Sequence, residues 1–216
     1  MIKLERMKFY PLLFFAAIFC VVPILAQDNN LDGPRFKGGL RLGFNASQIN
    51  GDYSAGYNKV GLYGGIQAQA ILNRKNYLST GIIFSQRGSA PGLINSATAW
   101  AIKLNFVEVP LIFHITDWEV SPGFSRMHAG LGLNYSRLIG AKAVLVPGFT
   151  GNENYFNVNN VNWLAEATYF RTRNFGFGIR YSRAINKLYN APPPGTPKPK
   201  TYFLEHWVSF YTSYLF

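Results

Sequence analysis

Cysteine is almost missing from this chain. Cys20 is the only one in 216 residues. It lies in a segment read below as a cleaved leader, so the mature protein has no disulfide, thiolate or zinc–thiolate chemistry to offer. Charge is also scarce: Asp, Glu, Lys and Arg make up 14% of the chain, against 16% aromatic. A soluble domain covers itself with about 25–35% charged residues, which argues against an ordinary water-facing surface. The aromatic content excludes disorder. After residue 26 there is no apolar run long enough for a transmembrane helix, which needs about 20 residues. Metal-ligand spacings, a phosphate-binding glycine loop and G-x-S-x-G are likewise missing, so no cofactor, metal or catalytic residue is expected.

What is present begins with a leader. Lys3, Arg6 and Lys8 precede an apolar stretch from Phe9 to Leu25, and Ala26 before Gln27 suits cleavage, which reads as a signal peptide over 1–26. A transmembrane anchor fits less well, because polar Gln27-Asp-Asn-Asn30 follows at once. A lipoprotein fits less well because bulky Ile18 and Phe19 precede Cys20. Losing Lys3, Arg6, Lys8 and Glu5 takes 21 basic and 10 acidic residues to 18 and 9, a net charge of +9. A secreted barrel rarely meets nucleic acid. Attraction to anionic lipid headgroups is the better account of the basic balance.

After a periplasmic lead over 27–36, one barrel domain is expected over 37–216. Eight segments alternate apolar and polar residues with the period of two that a half-buried strand requires. They lie near 37–47, 59–72, 77–87, 100–116, 127–139, 161–171, 175–185 and 206–216. In the first, Leu40, Leu42, Phe44 and Ala46 oppose Arg41, Gly43, Asn45 and Ser47. In the last, Val208, Phe210, Thr212, Tyr214 and Phe216 oppose Trp207, Ser209, Tyr211, Ser213 and Leu215. Ile83 breaks the pattern of the third. Pro110 interrupts the fourth, and since proline in a sheet marks an edge or a bulge, a phase change just before it is expected to turn Lys103, Asn105 and Glu108 all inward.

Connections after odd-numbered strands are long and those after even-numbered ones short, with tight turns expected at Asn73–Asn76, at 117–126 around Pro122-Gly123, and at Thr172–Asn174. The longest loop is expected over 140–160. Short periplasmic turns and long extracellular loops are the habit of outer-membrane barrels. The fold class expected is therefore an all-β, eight-stranded, antiparallel up-and-down transmembrane β-barrel in the cell outer membrane, with both termini periplasmic. A soluble lipocalin-like barrel shares the strand count but faces its polar side to water. Here the polar face is rich in Gly and Ser and poor in charge, which suits a narrow filled interior. Aromatics gather near strand ends (Tyr77, Trp100, Trp163, Tyr169, Phe175, Tyr202, Tyr214 and Phe216), as interfacial girdles do.

Arg41, Lys103, Glu108, Glu166 and Arg180 are the expected lumen charges, with Gln67, Gln69 and Asn134 nearby. A structural salt-bridge core is favoured over a gated polar path, since eight strands leave no room for an open channel. Phe210, Tyr214 and the terminal Phe216 are read as the closing-strand signal for the barrel-assembly machinery. His128, Ser136 and Glu166 are the residues a hydrolase or acyltransferase would need. The first two fall at opposite ends of one strand, so an enzyme is not expected. His114 and His206 are placed at periplasmic ends, as interface residues. Lys59, Arg87, Lys142, Lys187, Lys198 and Lys200 are placed toward the outer rim, where glycolipid phosphates compete with plain solvation. The proline-rich 192–199 reads as a stiff exposed loop or a docking epitope.

Gly38-Gly-Leu-Arg-Leu-Gly-Phe-Asn-Ala-Ser47, Gly64-Gly65, Gly81-Ile-Ile-Phe-Ser-Gln-Arg-Gly88, Leu104-Asn-Phe-Val-Glu-Val-Pro-Leu111 and Ala129-Gly-Leu-Gly132 together resemble the PorT-type outer-membrane β-barrel family of Bacteroidetes, across essentially the whole mature chain. The Leu104–Leu111 stretch is the most specific. The resemblance implies an eight-stranded outer-membrane barrel domain, some of whose relatives act in protein export or gliding-associated secretion. It supplies no catalytic site. The expected function is a structural or interaction role with a side-chain-filled lumen and no open pore. The alternatives are an accessory of a secretion machine, with its subunits as partners, and an outer-membrane lipid-modifying enzyme.

Overall fold

The computed structural model describes residues 34–50, 56–91, 101–144, 156–189 and 203–216. The leader, most of the N-terminal lead, Trp100, Tyr202, the proline-rich 192–199, Lys198 and Lys200 lie outside the described residues. Eight strands follow one another around a closed antiparallel barrel: β1 (Phe36–Asn50), β2 (Lys59–Ile71), β3 (Asn76–Ser89), β4 (Ala101–Ser121), β5 (Phe124–Val144), β6 (Asn159–Phe170), β7 (Phe175–Ala184) and β8 (Leu204–Leu215).

Closure is made by β1 and β8, paired from Gly39↔Leu215 to Asn50↔Leu204. The Phe216 N–H donates to the Gly38 carbonyl, and the Asn174 side chain donates to the Leu215 carbonyl at 2.6 Å. With the ring closed, neither edge is left to recruit another chain. Both described ends of the chain lie at the end where strands are joined by 72–75, 122–123 and 171–174, here the turn end; the longer connections define the loop end.

The faces divide as the alternation requires. Leu42 is 64% exposed, Leu131 65% and Phe210 41%, whereas Arg41 and Glu166 are 4% and 5% exposed. Apolar residues therefore cover the outside and polar ones fill the inside, the reverse of a water-soluble barrel. On the wall, the Phe44 and Phe210 rings stack with centroids 5.3 Å apart across the β1–β8 seam. Ile83, which breaks the alternation in sequence, is an inward residue packed with Tyr63 and Tyr211.

Three expectations about the strands change. β4 keeps one phase through Pro110: Leu104, Phe106, Glu108, Pro110, Ile112 and His114 are all buried, and Lys103 is exposed. The irregularity falls instead on β5, where Asn105 pairs with Gly140 and Phe106 with Leu138, leaving Ile139 as the extra residue of a bulge. Pro110 needs no phase change: the β3–β4 pairing is interrupted over Val109 and Pro110 and resumes in the same register, while Pro110 stays paired with Asn134 on β5. The region 117–126 is mostly strand, since Asp117↔Met127, Glu119↔Ser125 and Ser121↔Phe124 pair, and only Pro122-Gly123 turns. Gly123 has φ 72°, the conformation that follows proline in a type II turn. The loop expected over 140–160 is shorter at both ends, because β5 continues to Val144 and β6 begins at Asn159.

The Tyr211 side chain shows why the inner face is glycine-rich. Its partners are Gly43 on β1 and Gly178 on β7. A Cβ on Gly43 would sit 2.7 Å from the Tyr211 Cα, and one on Gly178 would overlap the Tyr211 ring. Gly178→Val should therefore lower stability by about 1–3 kcal/mol through overpacking, read as an earlier urea midpoint of tryptophan fluorescence in lipid vesicles. Gly140→Ala, whose added carbon meets nothing nearer than Asn105 Nδ2 at 3.4 Å, should leave the midpoint unchanged. Equal midpoints for both variants would contradict this packing.

Candidate functional site

Among the described residues, the inward side chains form two charged clusters, an apolar lid and a cavity. Nearer the turn end, Glu166 on β6 receives two guanidinium groups. Arg41 on β1 reaches it with both terminal nitrogens, each at 2.9 Å, and Arg180 on β7 donates through Nε at 2.7 Å. Arg41 Nε donates to Gln67 at 2.6 Å, and Gln67 donates in turn to Ser213 Oγ at 2.6 Å. This fork-to-fork geometry fixes planes as well as charges. The Arg41 guanidinium also lies 4.8 Å from the Tyr211 ring centre. His114 closes the cluster, with Nε2 2.8 Å from Ser79 Oγ and 3.5 Å from Glu166 Oε1.

Nearer the loop end, Arg87 on β3 is fully buried between two carboxylates and two rings. Glu108 and Glu205 lie 3.5 and 3.6 Å from its terminal nitrogens. Phe106 and Trp207 face its planar carbon, at 3.9 and 3.7 Å from their centroids. Two ring faces and two carboxylates suit a weakly hydrated, delocalised cation. Asn134 donates to Glu108 at 2.9 Å, and Asn162 to Ser136 at 2.8 Å. Above them the interior turns apolar: Ile49, Ile102, Leu104 and Phe106 pack with Phe156, Leu188, Tyr189 and Phe203 from the connections, and Phe156 and Tyr189 form a backbone bridge.

Four of the five expected lumen charges, Arg41, Glu108, Glu166 and Arg180, are inside, and Lys103 is not. With β4 in one phase, its odd positions face out, so Lys103 lies on the outer wall opposite Lys142. Arg87, placed by sequence at the outer rim, is inside instead, and Glu205, unread in the sequence, completes the interior charge. Among the described residues, the buried charges are thus three arginines and three glutamates. The signal for Arg87 was its parity with Ser79 and Ser85. Glu205 was missed because β8 begins two residues before the apolar alternation becomes regular.

The histidines also move. His206 is at the loop end, beside the Tyr57 ring, because β8 runs from loop end to turn end. His114 is at the turn end but faces the lumen, and stacks on Tyr77 with centroids 4.2 Å apart. Tyr77 is likewise inside, so it belongs to no girdle. His128 donates from Nε2 to the Ser125 carbonyl at 3.0 Å, which leaves Nδ1 to accept from the Tyr77 hydroxyl at 2.9 Å. Ser136 lies eight residues further along β5, about 27 Å, so His128, Ser136 and Glu166 are not brought together. His128 and Tyr77 instead line a cavity of about 180 Å³ at the turn-end mouth, with Lys37, Gln69 and Arg173. Phe210, Tyr214 and Phe216 are all exposed on the outer wall of the closing strand.

A family profile described as "Outer membrane protein beta-barrel domain" matches residues 25–190. The chain belongs to that family. Membership places it in the outer membrane, with the apolar wall against lipid. Among solved barrels it is similar to Ail of Yersinia pestis, at 10% identity over 85% of this chain and 100% of Ail, with a TM-score of 0.47. It is also similar to OprG of Pseudomonas aeruginosa, at 11% over 84% and 94%, with 0.42. OmpW of E. coli matches at 16% over 83% and 97%, with 0.37. A search of curated proteins returned no match.

Within this outer-membrane barrel, Glu166 is the charge whose loss should be felt most. Glu166→Ala strands Arg41 and Arg180 in the lumen, and removing one partner of a buried ion pair costs about 3–5 kcal/mol. Urea unfolding in vesicles should show that drop, while Lys103→Ala leaves the midpoint in place. The reverse order would put Lys103 inside and Glu166 out.

Proposed function

We propose that this outer-membrane barrel is a structural or interaction protein that acts through its rims and outer wall, with a lumen closed to solutes. The observation that carries this reading is the Arg87 clasp. Glu108, Glu205, Phe106 and Trp207 surround one guanidinium inside a barrel of only eight strands, and the apolar lid lies directly above it. A water path would have to break two ion pairs and wet an apolar layer. In planar bilayers the purified barrel is expected to give no steady conductance above the lipid baseline. A reproducible open-channel current would end this reading.

The loop end is proposed to face the cell exterior and the turn end the periplasm. Short connections, the described N-terminal end and Phe216 share the turn end, which is the periplasmic arrangement in barrels of this kind. Because the mature chain as read has no cysteine, single substitutions report topology directly. Lys187→Cys at the loop end should react with a membrane-impermeant maleimide on intact cells, and Arg171→Cys at the turn end only after the outer membrane is opened. The opposite pattern would invert the barrel. The exposed Phe210, Tyr214 and Phe216 fit recognition of the closing strand by the barrel-assembly machinery.

A second reading, an accessory of a secretion machine of the PorT type in Bacteroidetes, has its own support. The β4–β5 hairpin extends beyond its neighbours at the turn end, since β3 pairs with β4 only as far as Ile115 and β6 with β5 only from Met127. It leaves Trp118 56% and Val120 48% exposed, apolar surface suited to a periplasmic partner. Secretion subunits should co-purify with the wild-type barrel and be lost from Trp118→Ser/Val120→Ser; recovery that ignores the double substitution would remove the support. A lipid-modifying enzyme built on His128, Ser136 and Glu166 is not supported, since His128 engages Tyr77 and the Ser125 carbonyl and Ser136 lies eight residues further along β5.

A further inference from the structure

Lys103 and Lys142 face each other across the β4–β5 ladder, and both are exposed on the outer wall. Like charges directly opposite in a sheet repel and destabilise the pair. The arrangement is made by the bulge at Ile139. Up to Leu138 the even-numbered residues of β5 face inward; past the bulge Ala141 and Ala143 do. An unbroken alternation would turn Lys142 into the apolar lid. The extra residue re-aims it outward, as bulges do, and sets it opposite a second lysine. Arg137, also exposed, lies opposite Val107 on the same wall.

The height of these groups is set by the apolar belt beneath them. On β4 the outward residues run apolar from Val107 to Ile115. That is about 27 Å along the strand, comparable after tilting with the band of about 25 Å seen on such barrels. Arg137 stands at the upper edge of the belt. The lysine pair is four residues higher, about 14 Å along the strand. Among the described residues, no acid faces outward at this end. Glu108, Glu166 and Glu205 are buried inside, and Asp117 and Glu119 are at the turn end.

We propose that Arg137, Lys103 and Lys142 form a binding site on the outer wall for the phosphate groups of a phosphorylated glycolipid in the adjoining leaflet. This rests on the reading above that the loop end faces the cell exterior. Acyl chains lie against Val107, Tyr135 and Ile139, a phosphate near the hydrocarbon edge meets Arg137, and a phosphate carried higher on the sugars sits between the lysines. An anion there converts a repelling pair into two charge-assisted contacts.

The test uses the purified, folded barrel in nanodiscs of phosphatidylcholine containing a small fraction of fluorescent diphosphoryl lipid A. Parallel arms carry dephosphorylated lipid A or phosphatidylglycerol, and a further arm adds free inorganic phosphate as competitor. Wild type should prefer diphosphoryl lipid A over both other lipids, and millimolar phosphate should not displace it. Lys103→Gln/Lys142→Gln should bind roughly tenfold more weakly or worse, and Lys103→Arg/Lys142→Arg should restore binding. Heat-shifted mobility on gels confirms that each variant is folded. In lipid-free detergent the glutamine variant should unfold no earlier than wild type, because it has lost only a repulsion. Equal binding by the glutamine variant would overturn the site, as would failure of wild type to bind. Dephosphorylated lipid A bound as well as the diphosphoryl form, or phosphatidylglycerol bound equally well, would overturn the ligand class. Both nanodisc leaflets are open to the barrel, so these outcomes do not depend on its orientation in the cell, which cysteine labelling decides separately.

Discussion

A narrow interior must neutralise every charge it holds. In hydrocarbon there is no water to satisfy backbone groups, so the strands have to close into a ring. A ring of eight leaves space for side chains and little else. Any arginine inside then needs a carboxylate within contact, since an isolated buried ion costs several kcal/mol. Each buried arginine among the described residues has its carboxylate: Arg41 and Arg180 share Glu166, and Arg87 lies between Glu108 and Glu205. Register follows from it. Glu166 lies opposite Arg180 in the β6–β7 ladder and reaches Arg41 across the lumen, so one-residue slips would turn these groups into lipid and the apolar wall inward.

The interior is graded along its axis. At the turn end it is polar and open, with His128, Tyr77, Lys37 and Arg173 around a cavity. In the middle it is ionic. At the loop end it is greasy, with residues of the β5–β6 and β7–β8 connections folded onto Ile102, Leu104 and Phe106. Arg87 sits at the boundary between the last two zones, where a lysine would serve poorly. The flat guanidinium lies over the Phe106 and Trp207 rings while its terminal nitrogens meet Glu108 and Glu205, and a point-like ammonium offers no such plane. The lid and the clasp hold each other in place, because Phe106 belongs to both.

Strand number, order and sidedness were legible because they rest on a period of two, and lipid enforces that period strongly. Leu42 and Arg41 report opposite faces as adjacent letters. What could not be read were the places where one residue shifts the count. Pro110 drew attention because proline cannot donate to a ladder, yet it interrupts the β3–β4 pairing only over Val109 and Pro110 and leaves the register unchanged. Ile139-Gly140 drew none, since an apolar residue followed by glycine looks like ordinary barrel wall. Lys103 was misassigned by that error alone, and Arg87 by the assumption that a charge near a strand end belongs to the rim. Glu205 needed the three-dimensional fact that Arg87 is inside. A charge needs its partner to be intelligible, and partners as far apart in sequence as Arg87 and Glu205 leave no local signature.

The two longest strands carry both features that the rest of the barrel lacks. β4 and β5 are 21 residues each, and their hairpin has a register shift near each end. At the turn end, Trp118 takes φ 60°, rare for a bulky residue, and its backbone N–H bonds its neighbour's carboxylate, Asp117 Oδ1, at 2.8 Å. At the loop end the bulge moves Lys142 out of the lid. Neither irregularity is required to close the ring, which the remaining strands help to do without shifts between their pairs. Each puts on the outside, beyond the apolar belt, a side chain that regular alternation would place elsewhere or leave unstrained. A barrel whose lumen is filled has only its wall and its rims with which to meet other molecules, and this hairpin is where the fold departs from regularity to shape them.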